Sequence, residues 1–481
     1  MGIAGLAGGS AGGGAVSPGV APSAVTGLMI EANPKSVLSA FVSWTTDVPA
    51  TSVVQFGAGE LEWEISDPAL VTEHRVLLIG MHASQTYLVR AVSANGGGSV
   101  SADGTFATGA LPSSIPVAKV TANAAARSQP GWTLMNIQKG DGKVGVGSSI
   151  PAQAVMYDSE GLPVWYCIDG TAPDIGGAVS TELTDKGVLV GPVGSGNRGE
   201  PPREFDFACN VLWECTSNNC GSAGNPTHHA SKLPNGHYVV MSDVTAGNIR
   251  APVFSEITAD NEVVWTWDFR DLVPPPQGAS GDWCHGNSIT VDVTKDVVYA
   301  NCRWLGLVKT TYQNPTFEWL LPASYDGDGL GNMMFLPTST QYSDTHDPEI
   351  HDDGTIIFYD NGGFSGTIEE GNPRGYHSRV VEYLVDDIER TATLTWEFPG
   401  SFEVDPWYAN DWYNQYWGDA DRLPNGNVLV TTGVRGPSSE SRVFEVKKDD
   451  GKVVWEFRLP LDVGVYRAER VTPPLVHPLQ P

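Results

Sequence analysis

Four phrases of the chain share one pattern, in which a polar residue precedes the first aliphatic of a strand by four positions. HASKLPNGHYVV, HGNSITVDVTKDVVYA, HDPEIHDDGTIIFYD and DADRLPNGNVLV carry Leu233, Ile289, Ile350 and Leu423 at the aliphatic position. His229, His285, His346 and Asp419 stand four residues upstream. An imidazole can move a proton near neutral pH, attack an electrophile from a nitrogen lone pair, or ligate a metal. Three of them in register are costly to bury unless they are partnered or used. Asn287 lies two residues beyond His285, on the same side of an alternating strand. Arg303 follows the partner strand, residues 297–302, of the same hairpin. A guanidinium beside imidazoles suits a small anion with several oxygens, because its planar fork grips two of them at once. The three histidines could instead make a site for zinc or another transition metal, although a neighbouring arginine argues against a cation.

Side chains so distant in sequence meet only if the fold repeats. A second phrase, a strand, a polar turn and a strand ending in an aromatic, recurs with Trp165, Trp213, Trp265, Trp319, Trp396 and Trp455. The spacing is near the length of a four-stranded blade, and Asn-Gly, Asp-Gly and Lys-Gly supply hairpin turns. No helical period competes, so the chain is expected to be all-β, with a six-bladed β-propeller over residues 117–481. In that fold equivalent positions face one axis, which brings the histidines to a shared pocket. Residues 23–110 alternate short strands with Gly, Pro and Ser and are expected to form a small β-sandwich. There GMHASQTYLVRAV, with Tyr87, resembles a strand corner of fibronectin type III-like domains, and Trp44 is the expected core tryptophan. His74 and His82 are expected at surface or turn positions. A linker, 111–116, joins the two parts. Residues 1–22, rich in Gly, Ala, Ser, Val and Pro, read as a flexible tether and resemble the spacer behind the lipidated cysteine of bacterial surface lipoproteins.

With 28 Lys and Arg against 56 Asp and Glu, the net charge of −28 argues against nucleic acid and anionic membrane surfaces. An anionic substrate would then need a locally positive site. No apolar run of about 18 residues occurs, so no membrane-spanning segment is expected. The six cysteines are even in number and none has C-x-x-C spacing. Cys215 and Cys220 could clip one loop, and Cys284 and Cys302 would meet across a hairpin. Such bonds imply an oxidising compartment, so the protein is placed outside the cytoplasm: periplasmic, secreted or lipid-anchored. No Gly-rich phosphate loop opens a helix, which disfavours a nucleotide donor, and no cofactor is expected.

THHASKLPNG, DWCHGNSITVD, CRWLGLVK, DTHDPEIHDDGTIIFYDNG and SRVVEYLVDD, in that order, resemble the bacterial arylsulfate sulfotransferases over most of residues 117–461. The resemblance implies a six-bladed propeller that transfers sulfuryl groups between phenols without a nucleotide donor. It implies that His346 matches the histidine that becomes sulfurylated. His285 and Asn287 match the H-x-N pair, Arg303 the arginine, and His229, or alternatively His228, the histidine of the preceding blade. His228, Asp419 and Trp304 are expected to contact substrate, although Asp419 matches no functional residue of the family. The aromatic run DPWYANDWYNQYWGD would wall a phenol ring or fill core between blades, and the loops 321–343 and 362–376 are expected to select the acceptor. The implied partners are a phenolic sulfate donor and a phenolic acceptor. Rival readings are a surface adhesion propeller that only recognises an anion, and a metal-dependent hydrolase or lyase.

Overall fold

The computed structural model describes residues 20–139, 153–168, 180–191, 201–216, 220–221, 224–312, 314–323, 330–362, 378–398, 414, 417–433, 440–461 and 463–479. Nearly all of the tether, most of the aromatic run at 405–419 and parts of the two acceptor loops lie outside them.

The repeat unit becomes a four-stranded antiparallel sheet because β-branched and aromatic runs are punctuated by turns that only glycine closes easily. Gly236, Gly354 and Gly426 hold the same turn position in three sheets, with φ of 84°, 83° and 84°. Among the described residues six such sheets follow one another around a ring. From the inside outwards the second is built of Thr181–Leu183, Gly187–Val190, Arg203–Asp206 and Val211–Glu214. The third is Asn225–Lys232, Tyr238–Ala246, Ile249–Ile257 and Val263–Asp268; the fourth is Gly286–Asp292, Val297–Cys302, Gly306–Thr311 and Phe317–Pro322. The fifth runs Thr345–Ile350, Thr355–Asp360, Arg379–Asp386 and Thr391–Phe398, and the sixth Asp419–Arg422, Val428–Thr432, Arg442–Val446 and Val453–Arg458. The six repeated tryptophans all lie on the fourth strand of the repeat counted from the axis, where Trp165, Trp319 and Trp455 are at most 1 % exposed. Burying such a ring is worth on the order of 2–3 kcal/mol, and the repeat sets it between neighbouring blades.

Strands from the two ends of the propeller region seal the ring. In the first blade Trp132–Lys139, Gln153–Tyr157 and Pro163–Ile168 receive their innermost strand, Ala468–Val471, from near the C-terminus. Lys119–Asn123 adds a further strand outside the sixth. Neighbouring sheets touch through their inner strands in chain order, and Ala468–Val471 meets both the second and the sixth. Among the described residues the only α-helix is Phe269–Leu272, and no helix is long and apolar enough to cross a membrane.

Residues 26–107 form five strands of one continuous sheet. Its organiser is the 18-residue strand Ala40–Gly57, which pairs with Thr26–Ala32 through its first half and with Thr86–Asn95 through its second. The first strand also meets the fifth, Gly98–Ala107, so the sheet curls around Trp44, Phe56 and Tyr87. The Tyr87 hydroxyl accepts from the His82 amide at 2.7 Å. His74 departs from the surface position expected of it. It is 2 % exposed, stacks on Trp44 and is satisfied by the Thr46 and Ser52 hydroxyls at 2.9 and 2.8 Å, which is what lets an imidazole enter that core. The core continues into the first blade through Trp132 and Trp165, and His477–Pro478 leaves the propeller to pair with Trp63 and Glu64.

Candidate active site

The innermost strands of the third, fourth and fifth blades each begin with a register shift, at Pro226/Ala230, Gly286/Ser288 and His346/Glu349. A non-glycine residue in left-handed backbone lies inside the shift in the third and fifth blades, His228 at φ 60° and Asp347 at 45°, and immediately before it in the fourth, His285 at 54°. Such conformations are uncommon outside glycine, and a bulge re-aims the side chains around it. Hence a fixed count of four from the first aliphatic does not find the same facing residue in every blade. In the third blade it is His228 whose ring lies 5.4 Å from that of His285. The buried Tyr466 ring lies 6.2 Å from both His228 and His346, and so joins the three imidazoles.

Each imidazole has a different partner. His346 is 2 % exposed, and its Nδ1 lies 2.6 Å from Asn361 Oδ1. Burial, and then the positive charge of Arg303, push its pKa well below the ordinary value. His285 Nδ1 is 2.6 Å from Asp282 Oδ2, and its ring stacks on the half-buried Trp304 at 4.9 Å. Burial raises the Asp282 pKa, but His285 and Arg250 outweigh it and hold the group at about 2. His228 Nδ1 is 2.6 Å from Thr227 Oγ1, and burial followed by the His285 charge pushes its pKa down as well. At least two of the three rings are therefore neutral at pH 7.

Arg303 is 2 % exposed and donates from Nη2 to Asp344 Oδ2 at 3.1 Å. Its backbone amide donates to the His285 carbonyl at 3.0 Å, so guanidinium and imidazole share one corner. The disulfide Cys284–Cys302 joins the residues immediately before them, with Cα atoms 5.0 Å apart. Cys215–Cys220 forms the other disulfide expected from the spacing, while Cys167 and Cys209 are buried thiols. Asn287 is fully buried and acts between blades. Its Nδ2 donates to the Thr345 carbonyl at 2.8 Å, and its Oδ1 accepts from Asn301 at 2.7 Å.

His229 belongs to a second layer. Arg467 donates to its Nδ1 at 2.7 Å and to the Asn287 carbonyl at 2.8 Å, and pairs with Asp347 at 2.9 Å. These groups line an axial cavity of about 270 Å³ with Asp419, Asp421 and Glu469. Asp419 thus sits among carboxyls, where burial and then Asp347 raise its pKa well above normal. No three His, Cys, Asp or Glu side chains among the described residues are arranged to hold a metal ion.

Sequence reasoning did not single out Asp282, Asp344, Asn361, Tyr466 or Arg467. One signal was present: Arg303 follows the partner strand of the His285 hairpin, and Asn361 follows Thr355–Asp360, the partner strand of the His346 hairpin. Tyr466 and Arg467 precede the strand that closes the ring, and no repeated phrase marks them.

Residues 147–467 match the family Arylsulfotransferase (ASST). The arylsulfate sulfotransferase AssT of Lelliottia amnigena is 26 % identical over 141 residues, covering 25 % of this chain and 23 % of the relative. That of Escherichia coli O6:H1 is 27 % identical over 145 residues, with the same shares. The aligned part of the chain spans about a quarter of the length of these curated relatives. A quinoprotein alcohol dehydrogenase-like protein of Bacteroides thetaiotaomicron has a TM-score of 0.34 at 11 % identity, covering 94 % of this chain and 99 % of that one. Because the family match takes in all but the ends of the six-sheet ring, the chain belongs to the arylsulfotransferase family.

Proposed function

We propose that this protein is an extracytoplasmic arylsulfate sulfotransferase, moving a sulfuryl group from a phenolic sulfate ester to a phenolic acceptor through a sulfohistidine on His346. The observation that carries this reading is the meeting of His228, His285 and a neutral, buried His346 beside the buried cation Arg303. In a chain of net charge −28, Arg303 supplies the local field that an anionic ester needs. Its guanidinium stabilises charge on the sulfuryl oxygens as the sulfur is attacked.

In the first half-reaction a nitrogen lone pair of His346 forms the N–S bond while the S–O(aryl) bond breaks. The electron pair leaves on the phenolate oxygen, which takes a proton from His285, the imidazole with a carboxylate partner. Asp282 is placed to steady His285 as it gives up and regains that proton. The second phenol then returns its proton to the same imidazole and attacks the sulfur, releasing His346. Two disulfides support an oxidising compartment.

The test is to incubate the protein with 4-nitrophenyl sulfate and seek an acid-labile adduct of about 80 Da, the mass of SO₃ retained by a covalent intermediate. The adduct is expected in the parent protein and absent from His346→Ala, whose transfer to phenol should fall by at least about 10³-fold. Full transfer activity in His346→Ala would remove His346 from the role of nucleophile.

A further inference from the structure

Asn361 is fully buried at the end of the strand that pairs with His346. Its Nδ2 donates to two backbone carbonyls, Asn414 O at 2.9 Å and Trp417 O at 2.8 Å. Carbonyl oxygens only accept, so the amide cannot turn over without setting its own oxygen against both. Its main chain is tied as well: the amide donates to the Asp344 carbonyl at 2.9 Å, and its carbonyl accepts from Ser378 Oγ at 3.0 Å. The atom 2.6 Å from His346 Nδ1 is therefore an amide oxygen, which also only accepts. It follows that Nδ1 carries the proton of the neutral ring and that Nε2 holds the lone pair.

We infer that Asn361 is a positioning residue that fixes the tautomer of His346, so that attack comes from Nε2 and the sulfuryl group is carried on that nitrogen. The inference rests on the reading of His346 as nucleophile. When the Nε2 lone pair forms the N–S bond and the S–O(aryl) pair departs with the phenolate, the ring keeps its Nδ1 proton and becomes cationic. Asn361 Oδ1 accepts that proton's hydrogen bond with a dipole instead of a full negative charge. The ring cation is oriented without being neutralised, and the N–S bond stays easy to break when the acceptor phenolate attacks and returns the pair to Nε2. His285 has the opposite kind of partner, the carboxylate of Asp282. One imidazole is thus fitted to attack and leave, the other to hold a proton, a division set by an amide against a carboxylate.

The first experiment is ring-¹⁵N NMR of the full chain with labelled histidine, the His346 signals being those lost in His346→Gln. Between pH 6.5 and 8 His346 is expected as the Nδ1–H tautomer, and after loading with 4-nitrophenyl sulfate the sulfur is expected on Nε2. An Nε2–H tautomer, or sulfur on Nδ1, in the parent protein overturns the inference. The second experiment is Asn361→Asp, with Arg303, His285, His228 and Tyr466, the other charged or titratable groups facing His346, left in place. Its carboxylate should move the acid limb of the kcat/KM profile up by about one pH unit and lower kcat at least about tenfold with little change in KM. An unchanged profile and kcat overturn the inference. A parent protein with the Nδ1–H tautomer that transfers no sulfuryl group overturns the sulfotransferase reading instead, so the two failures are told apart.

Discussion

Arg303 donates to Asp344 at 3.1 Å, and both side chains are closed to solvent. Burial raises the Asp344 pKa, and the guanidinium opposes that rise, so each charge depends on the other. Removing one partner of such a pair costs about 3–5 kcal/mol, because the other is left buried and alone. Arg303→Met should therefore lose both stability and transfer. Arg303→Met/Asp344→Asn should regain most of the stability and none of the transfer, measured by urea unfolding and by turnover of 4-nitrophenyl sulfate. Activity returning together with stability would show that Arg303 only holds up the fold.

The two adjacent histidines of the third blade should separate in kinetics. His228 packs its ring on that of His285, and its loss loosens the imidazole that carries the proton, so His228→Gln should lower kcat about 10²-fold. His229 accepts from Arg467 one layer away, and His229→Gln can keep that bond through its amide oxygen. Its kcat should stay within about threefold of the parent. The reverse ranking would exchange their assignments.

The Cys284–Cys302 bond ties together the residues that precede His285 and Arg303. Closing a loop of 18 residues is worth about 3 kcal/mol in the chain-entropy account. Cys284→Ser/Cys302→Ser should lose about that much in urea unfolding. It should also lower kcat/KM about tenfold, since the fork and the imidazole are no longer held to one corner. The Cys215–Cys220 pair is remote from this corner in sequence, and its removal should leave kcat/KM unchanged.

Stability should fall as pH rises above neutrality. Burial and then the Glu469 carboxyl push Glu182 up to about 8, and burial and then the Asp347 carboxyl push Glu469 up to about 7, against 4.5 for an ordinary glutamate. Between those values the folded chain binds more protons than the unfolded one, so raising the pH favours unfolding. His228 and His346 act in the opposite direction only near and below about 6.5, where the unfolded chain takes up their protons. From pH 7 to 8.5 the Tm should therefore drop by roughly 2 °C. Glu182→Gln/Glu469→Gln should flatten that slope, and a Tm that rises over the interval would contradict the burial of these carboxyls.

Much of this protein is written locally. Strand patterning, glycine turns and one tryptophan per repeat determine a ring of similar sheets, because each sheet can bury its outermost aromatic only against a neighbour. That ring in turn brings His285, His346 and Arg303 to the axis, and the two disulfides were legible from the short spacing of one pair and the hairpin between the other. Only the tertiary structure decided between His228 and His229, since a single bulge with left-handed backbone changes which ring faces the axis. Only it brought Tyr466 and Arg467 into the site, because ring closure by Ala468–Val471 is a contact with residues more than 300 positions earlier that no local pattern encodes. The amide beside His346 belongs to the same class. Its residue type is visible in the sequence, but the direction of its oxygen is set by two carbonyls more than fifty residues away.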